Sequence, residues 1–232
     1  MLIQWDQRRL GRRRATDFRD HIMDEETYRA IPRAVTKPRT MPWHIGAILD
    51  QDDTSECTLY AAIQQYNSAP RMHKLLWTPS MITAYYEKVK AQYDEWPGSN
   101  YDGTSERAVQ KLFQDLLLTG SYKFVVDEEM ARDFLRNKGM LMNGTDWLVG
   151  MDTPDKHGYI EPTGAVRGGH EYVERWYYNS RHYKYPDTYE YVQSWGLGWG
   201  QRGIFRMKSD ARKFLQQNGG DCIAALEPGI AE

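Results

Sequence analysis

The chain carries two thiols, Cys57 and Cys222, so each needs its own explanation. Cys57 follows Thr54-Ser55-Glu56 and opens an apolar run, Thr58-Leu59-Tyr60-Ala61-Ala62-Ile63. That run reads as a helix from Cys57 to about Tyr66, capped by Ser55 and stopped by Asn67-Ser68-Ala69-Pro70. A cysteine in a first helical turn gains thiolate character, because unpaired N–H groups and the helix dipole favour negative charge. Given a base, a thiolate attacks carbonyl carbon, and the chemistry on offer is acyl transfer. The competing fate of a free cysteine is burial in a core. His170, in Gly168-Gly169-His170-Glu171-Tyr172, is a candidate base, although alone it also reads as a half-buried histidine after a turn. His21, His44, His73 and His157 are scattered without ligand spacing, so no metal and no cofactor is expected. His182 reads as a surface residue.

Two further blocks give these residues company. Gln51 stands six residues before Cys57, and Gln193-Ser194-Trp195-Gly196-Leu197-Gly198-Trp199-Gly200-Gln201-Arg202-Gly203 follows His170. In order and spacing these blocks resemble the papain and cathepsin family of cysteine peptidases. That family has a glutamine six residues before its cysteine, a Gly-His segment, and an Asn-Ser-Trp-Gly-x-x-Trp-Gly-x-x-Gly block. Gly103-Thr104-Ser105-Glu106-Arg107 resembles the Gly-Thr-Ser-x-Arg segment of bacterial and viral members. Thr16-Asp17-Phe18-Arg19-Asp20, then Ile31-Pro32, resembles their lead-in, and Gly219-Gly220-Asp221-Cys222 a C-terminal family segment in which Cys222 packs. The resemblance runs roughly from Asp17 to the C-terminus.

The resemblance implies a papain-like α+β fold of two lobes, one helical and one strand-rich and barrel-like, with a substrate cleft between them. It implies Cys57 as nucleophile, His170 as its base and proton donor, and Gln193 as the residue orienting His170. Gln51 and the Cys57 backbone N–H would form the oxyanion hole. Trp195 would shield the His–amide bond, and Gly169 and Trp199 would lie at the cleft or its shield. The implied function is peptide or isopeptide hydrolysis. The alternative is a papain-fold protein of weak or no activity that serves a virion or another assembly as a binding component.

The sequence departs from the family at several positions. Gln193 stands where asparagine is usual, one methylene longer. Thr54-Ser55-Glu56-Cys57-Thr58 replaces the common Cys-Gly-Ser-Cys-Trp. Glu56 is expected to disfavour the thiolate beside it, and Thr58 to alter the packing beneath it. The insertion from Arg175 to Asp187 reads as a hairpin extending over the cleft. No long inhibitory prosegment is expected ahead of the body.

Other elements must position these residues. Residues 1–50 are read as an extended arm, 51–138 as the helical lobe and 139–232 as the strand-rich lobe. The arm's cluster of Arg8, Arg9, Arg12, Arg13 and Arg14 is either solvated or a docking site for something acidic. Helices are expected after Thr78-Pro79-Ser80, from a Thr104 or Ser105 cap to Gly120, and from Asp127 to Lys138. Beyond Gly139, short apolar runs at 140–142, 147–149, 172–173 and 204–207 read as strands. The net charge of -2 gives no reason to expect nucleic acid or an anionic membrane as a partner. A peptide or protein substrate and an assembly partner are the partners expected. There is no bilayer-length apolar run, no signal peptide is expected, and so few cysteines suit a reducing cytoplasm, or a virion if viral.

Overall fold

The computed structural model describes residues 10–14, 21–34, 39–96, 98 and 101–227. The expectations for Arg8, Arg9 and Thr16 to Asp20 lie outside them. The described chain has six α-helices and six strands, four of the helices preceding the first strand. Helix α1 (Glu25–Ala30) lies in the arm. Helix α2 (Cys57–Tyr66) is buried over almost its whole length, so its sequence shows no polar face. Helix α3 (Pro79–Gln92) is capped by Thr78, and α4 (Glu106–Asp115) by Ser105, whose side chain accepts from the Ala108 N–H. Helix α5 (Glu128–Asn137) is capped by Asp127, and α6 is Ser209–Gln217.

The strands are β1 (Ser121–Phe124), β2 (Leu141–Leu148), β3 (Val166–Tyr178), β4 (Thr188–Val192), β5 (Ile204–Lys208) and β6 (Asp221–Leu226). They form one antiparallel sheet in the order β1-β6-β2-β3-β4-β5. Side chains alternate across it with period two, so each strand feeds two cores. Met142, Val173, Val192 and Ile223 join α2, α3 and α4 in one. Leu141, Tyr172, Tyr191, Phe205 and Ala224 join α5 and α6 in the other. This is the two-lobed α+β architecture expected, with α2 packed along β3 where the lobes meet. Among the described residues no helix is long and apolar enough to cross a membrane.

Several local expectations need correction. Glu56, not Ser55, caps α2, and it does so without a side-chain hydrogen bond. Helix α4 stops at Asp115 rather than near Gly120. Leu117 turns left-handed at φ 56°, the Leu118 N–H reaches Phe113 O and the Leu117 N–H reaches Gln114 O. This is a Schellman end, with leucine where glycine is usual, and glycine was the signal sought. Gly120 instead donates to Leu226 O and starts β1, a strand inside the stretch read as helical. The insertion does form a hairpin between β3 and β4, but not over the cleft. Its tip follows Tyr178, eight residues past His170, and at strand spacing that places it roughly 26 Å away.

Candidate active site

His170 sits in β3 opposite Thr145 of β2, and Gln193 follows the end of β4. Their side chains meet at 2.7 Å, His170 Nε2 to Gln193 Oε1. An amide oxygen only accepts, so Nε2 carries the proton and the Nδ1 lone pair is left without a partner. The extra methylene of glutamine is accommodated because Oε1 also accepts the Ser194 N–H at 2.9 Å, while the Gln193 N–H is held by Gly203 O. Trp195 covers the pair, its ring 4.9 Å from the imidazole and tilted by 33°. Trp147 meets His170 edge-on at 5.1 Å, and Trp199 packs behind Trp195 with its Nε1 donating to Asp152 O. Trp199 is therefore a buried support of the shield and Trp147 a second wall, which the sequence had marked only as part of a strand.

Gln51 is joined to the same assembly. Its N–H donates to Ser194 O, its Oε1 accepts from Ser194 Oγ at 2.6 Å, and its Nε2 donates to Thr54 O at 2.7 Å. The segment before Cys57 is thus tied by hydrogen bonds to the residue after Gln193. Cys57 opens α2 as expected and is fully buried. Nearby backbone of Gly11, Glu171 and Thr58 favours the thiolate. Burial and then the Glu171 carboxylate push its thiol up to about 12. The charge working against the thiolate is therefore Glu171 rather than Glu56, whose carboxyl turns toward Thr83 and Thr54. Burial likewise brings His170 down to about 3, against the help of Gln193. In this form thiol and imidazole are both neutral.

The arm packs over this region as well. Residues 10–14 run between the lobes: the Arg12 N–H donates to Gly169 O, the Thr104 N–H to Gly11 O, and the Arg13 N–H to Thr104 O. Tyr101 Oη closes over Arg12 O at 3.1 Å. Gly169 lies directly under the arm, and a Cβ there would collide with the Arg12 carbonyl. No inhibitory segment was expected, yet part of the arm fills the groove. The basic cluster that was read as solvated or as a docking site places Arg12 in an acidic pocket of the same chain. Glu171 and Glu106 stood inside the matched segments, but nothing in the sequence marked either as facing the arm. Cys222 is buried beside Arg212 and Glu174 and packs, as expected. Among the described residues no group of His, Cys, Asp and Glu is placed to hold a metal ion.

No family model and no curated protein matches the chain. Solved structures do. The digestive procathepsin L2 proteinase of Tenebrio molitor larval midgut superposes with a TM-score of 0.64 at 14% identity, covering 97% of this chain and 80% of that one. Xylellain, a cysteine protease from Xylella fastidiosa, gives 0.60 at 14% identity, covering 94% and 96%. The bromelain protease of Ananas comosus, solved with the E64 inhibitor, gives 0.55 at 14% identity, covering 79% and 94%. The fold is papain-like.

Proposed function

We propose that the protein is a papain-like cysteine peptidase that hydrolyses peptide or isopeptide bonds through an acyl-enzyme on Cys57, and that the form described here is its closed state. The observation that carries this reading is the His170–Gln193 bond at 2.7 Å, sealed under Trp195, with Nδ1 left unpaired. That arrangement fixes one tautomer and leaves Nδ1 as the ring nitrogen free to act as a base.

Once the arm leaves, water and substrate enter, and the burial that keeps Cys57 and His170 neutral is relieved. Cys57 gives its proton to His170 and attacks the substrate carbonyl, forming the C–S bond. The oxyanion is held by the Gln51 amide and the Cys57 N–H. The C–N bond then breaks as His170 protonates the departing amine, and water, deprotonated by His170, releases the acid and restores the thiol. Two buried free cysteines suit a reducing compartment.

A second reading is favoured by one observation, the Glu171 carboxylate next to Cys57. It disfavours the thiolate and suits a papain-fold binding component of an assembly. Turnover separates the two. Arg12→Ala protein, in which the arm is loosened, should cleave unfolded protein and short peptides, and a Cys57 acyl-enzyme should appear by intact mass at low pH. Cys57→Ser in the same background should do neither. Absence of cleavage and of any acyl adduct, in protein that remains folded, would leave the binding reading.

A further inference from the structure

The seat of the arm is more specific than closing a cleft requires. Arg12 is 2% exposed, which is rare for arginine. Its Nη2 donates to Gly219 O at 3.1 Å, pairs with the Asp221 carboxylate and lies 3.8 Å from Glu106 Oε1. Glu171, the residue after His170, is a third acid acting on it. The acids come from three separate elements, the first turn of α4, the middle of β3 and the start of β6. Gly144 of β2 leaves the pocket its room, because a Cβ there would lie 2.6 Å from Arg12 Nε and 2.7 Å from Glu106 Oε2.

Arg12 does not satisfy this pocket. No hydrogen bond from Arg12 reaches Glu106 or Glu171, whose carboxyls interact with each other, and Arg12 Nε is buried without a hydrogen-bond partner. Burial and mutual repulsion raise both glutamates, with Arg12 opposing. Three acids around one side chain cost stability that apolar residues would have supplied, so their presence points to recognition of a cation. The pocket also adjoins the chemistry. The Arg12 N–H is bonded to the residue before His170, and Gly11 lies against the backbone of Ser55, two residues before Cys57. An extended peptide bonded to the same groups of Gly169 and Thr104 would place one side chain here.

We propose that this pocket recognises a substrate side chain and selects arginine, then lysine, and that Arg12 is the chain's own occupant of it. The proposal rests on the peptidase reading for its substrate, but not for its binding. Arginine leads because its planar fork reaches carboxylates on separate elements at once, whereas an ammonium meets them as a point charge. An apolar side chain would leave the acids facing it unpaired.

The test uses Arg12→Ala/Cys57→Ser protein, which turns nothing over. Fluorescent peptides Leu-Gly-Arg-Arg-Arg and Leu-Gly-Leu-Arg-Arg are bound to it and followed by anisotropy. The first should bind at least about 30-fold tighter, as expected for a charge-assisted buried contact. That ratio should collapse toward one in Asp221→Asn, and, as a second variant should the first misfold, in Glu106→Gln. The active Arg12→Ala protein is then given peptides differing only in arginine, lysine, leucine or glutamate at one position. Equal binding of the two fluorescent peptides, or a ratio untouched by both variants, overturns the pocket whatever the protein hydrolyses. Turnover that favours leucine overturns it too, and leaves the peptidase. Arginine-dependent binding without any turnover supports the pocket and removes the peptidase reading.

Discussion

Replacing Arg12 by alanine should unseal Cys57, and the structure sets the size of the effect from two sides. The guanidinium is buried among Asp221, Glu106 and Glu171 and hydrogen-bonds to Gly219 O. Breaking a buried pair of this kind costs about 3–5 kcal/mol. Loss of that anchor favours the unseated arm by roughly a hundred- to several-thousand-fold, at 1.36 kcal/mol per decade. The second bound comes from the thiol itself. Held at about 12 rather than its ordinary 9.0, Cys57 is about a thousand-fold less ionised at neutral pH. Alkylation by iodoacetamide at pH 7 should therefore be very slow in the wild type and rise on the order of a hundred- to a thousand-fold in Arg12→Ala, at Cys57 alone. Cys222, buried with its thiol pushed higher still, should stay unlabelled in both. The assay is intact mass against time, with peptide mapping for the site. Equal rates in wild type and Arg12→Ala, with unchanged circular dichroism, would refute the idea that the arm seals the thiol.

Three other outcomes follow from the same geometry. Gln193→Leu leaves the His170 Nε2–H without its acceptor, so kcat of the arm-loosened enzyme should fall about 10- to 100-fold with little change in KM, the worth of one bond to a charging group; an unchanged kcat would remove Gln193 from the mechanism. Trp147→Ala empties a fully buried site that touches His170, Trp195 and Phe205, and should cost about 3–5 kcal/mol in urea denaturation, a loss below 1 kcal/mol arguing against Trp147 as a wall of the site. Stability should also carry the signature of His170. Its folded value near 3 lies below its ordinary 6.5, so the unfolded chain binds the extra proton between those values and stability is lost as pH falls through that window. From pH 7 to pH 5 the wild type should lose about 2 kcal/mol relative to His170→Leu, while Glu106 and Glu171, raised rather than lowered, pull the other way in both proteins alike. A pH-independent difference between the two would contradict a buried neutral imidazole.

The fold was readable where local chemistry and periodicity agreed. Cys57 to Tyr66, the Thr78 cap and the stripe of α4 all reported their own helices, and the Trp-Gly block announced the turn that carries Gln193. Elements were missed where the deciding contact lies far along the chain. Strand β1 exists because it pairs with β6, about a hundred residues later, and α4 ends on a left-handed leucine that no local rule flags. The site divides the same way. Cys57, His170, Gln193 and Gln51 were candidates because they stand on spaced motifs, and the structure brings Gln51 to Gln193 through Ser194. Glu56 was blamed because it is adjacent in sequence, whereas Glu171 is adjacent in space. The role of Arg12 was hidden for a simpler reason. A run of arginines reads as a solvated face until three acids from distant elements converge on one member of it.

The central claim is that Cys57 and His170 form a nucleophile and base once the cleft opens. The most direct measurement is labelling of Arg12→Ala protein by an epoxysuccinyl probe from pH 5 to 8, with His170→Ala in the same background. The predicted result is rapid labelling at Cys57 alone that persists at pH 5 and collapses without His170, as a thiolate–imidazolium pair requires. Labelling that rises only toward alkaline pH and ignores the loss of His170 would contradict it.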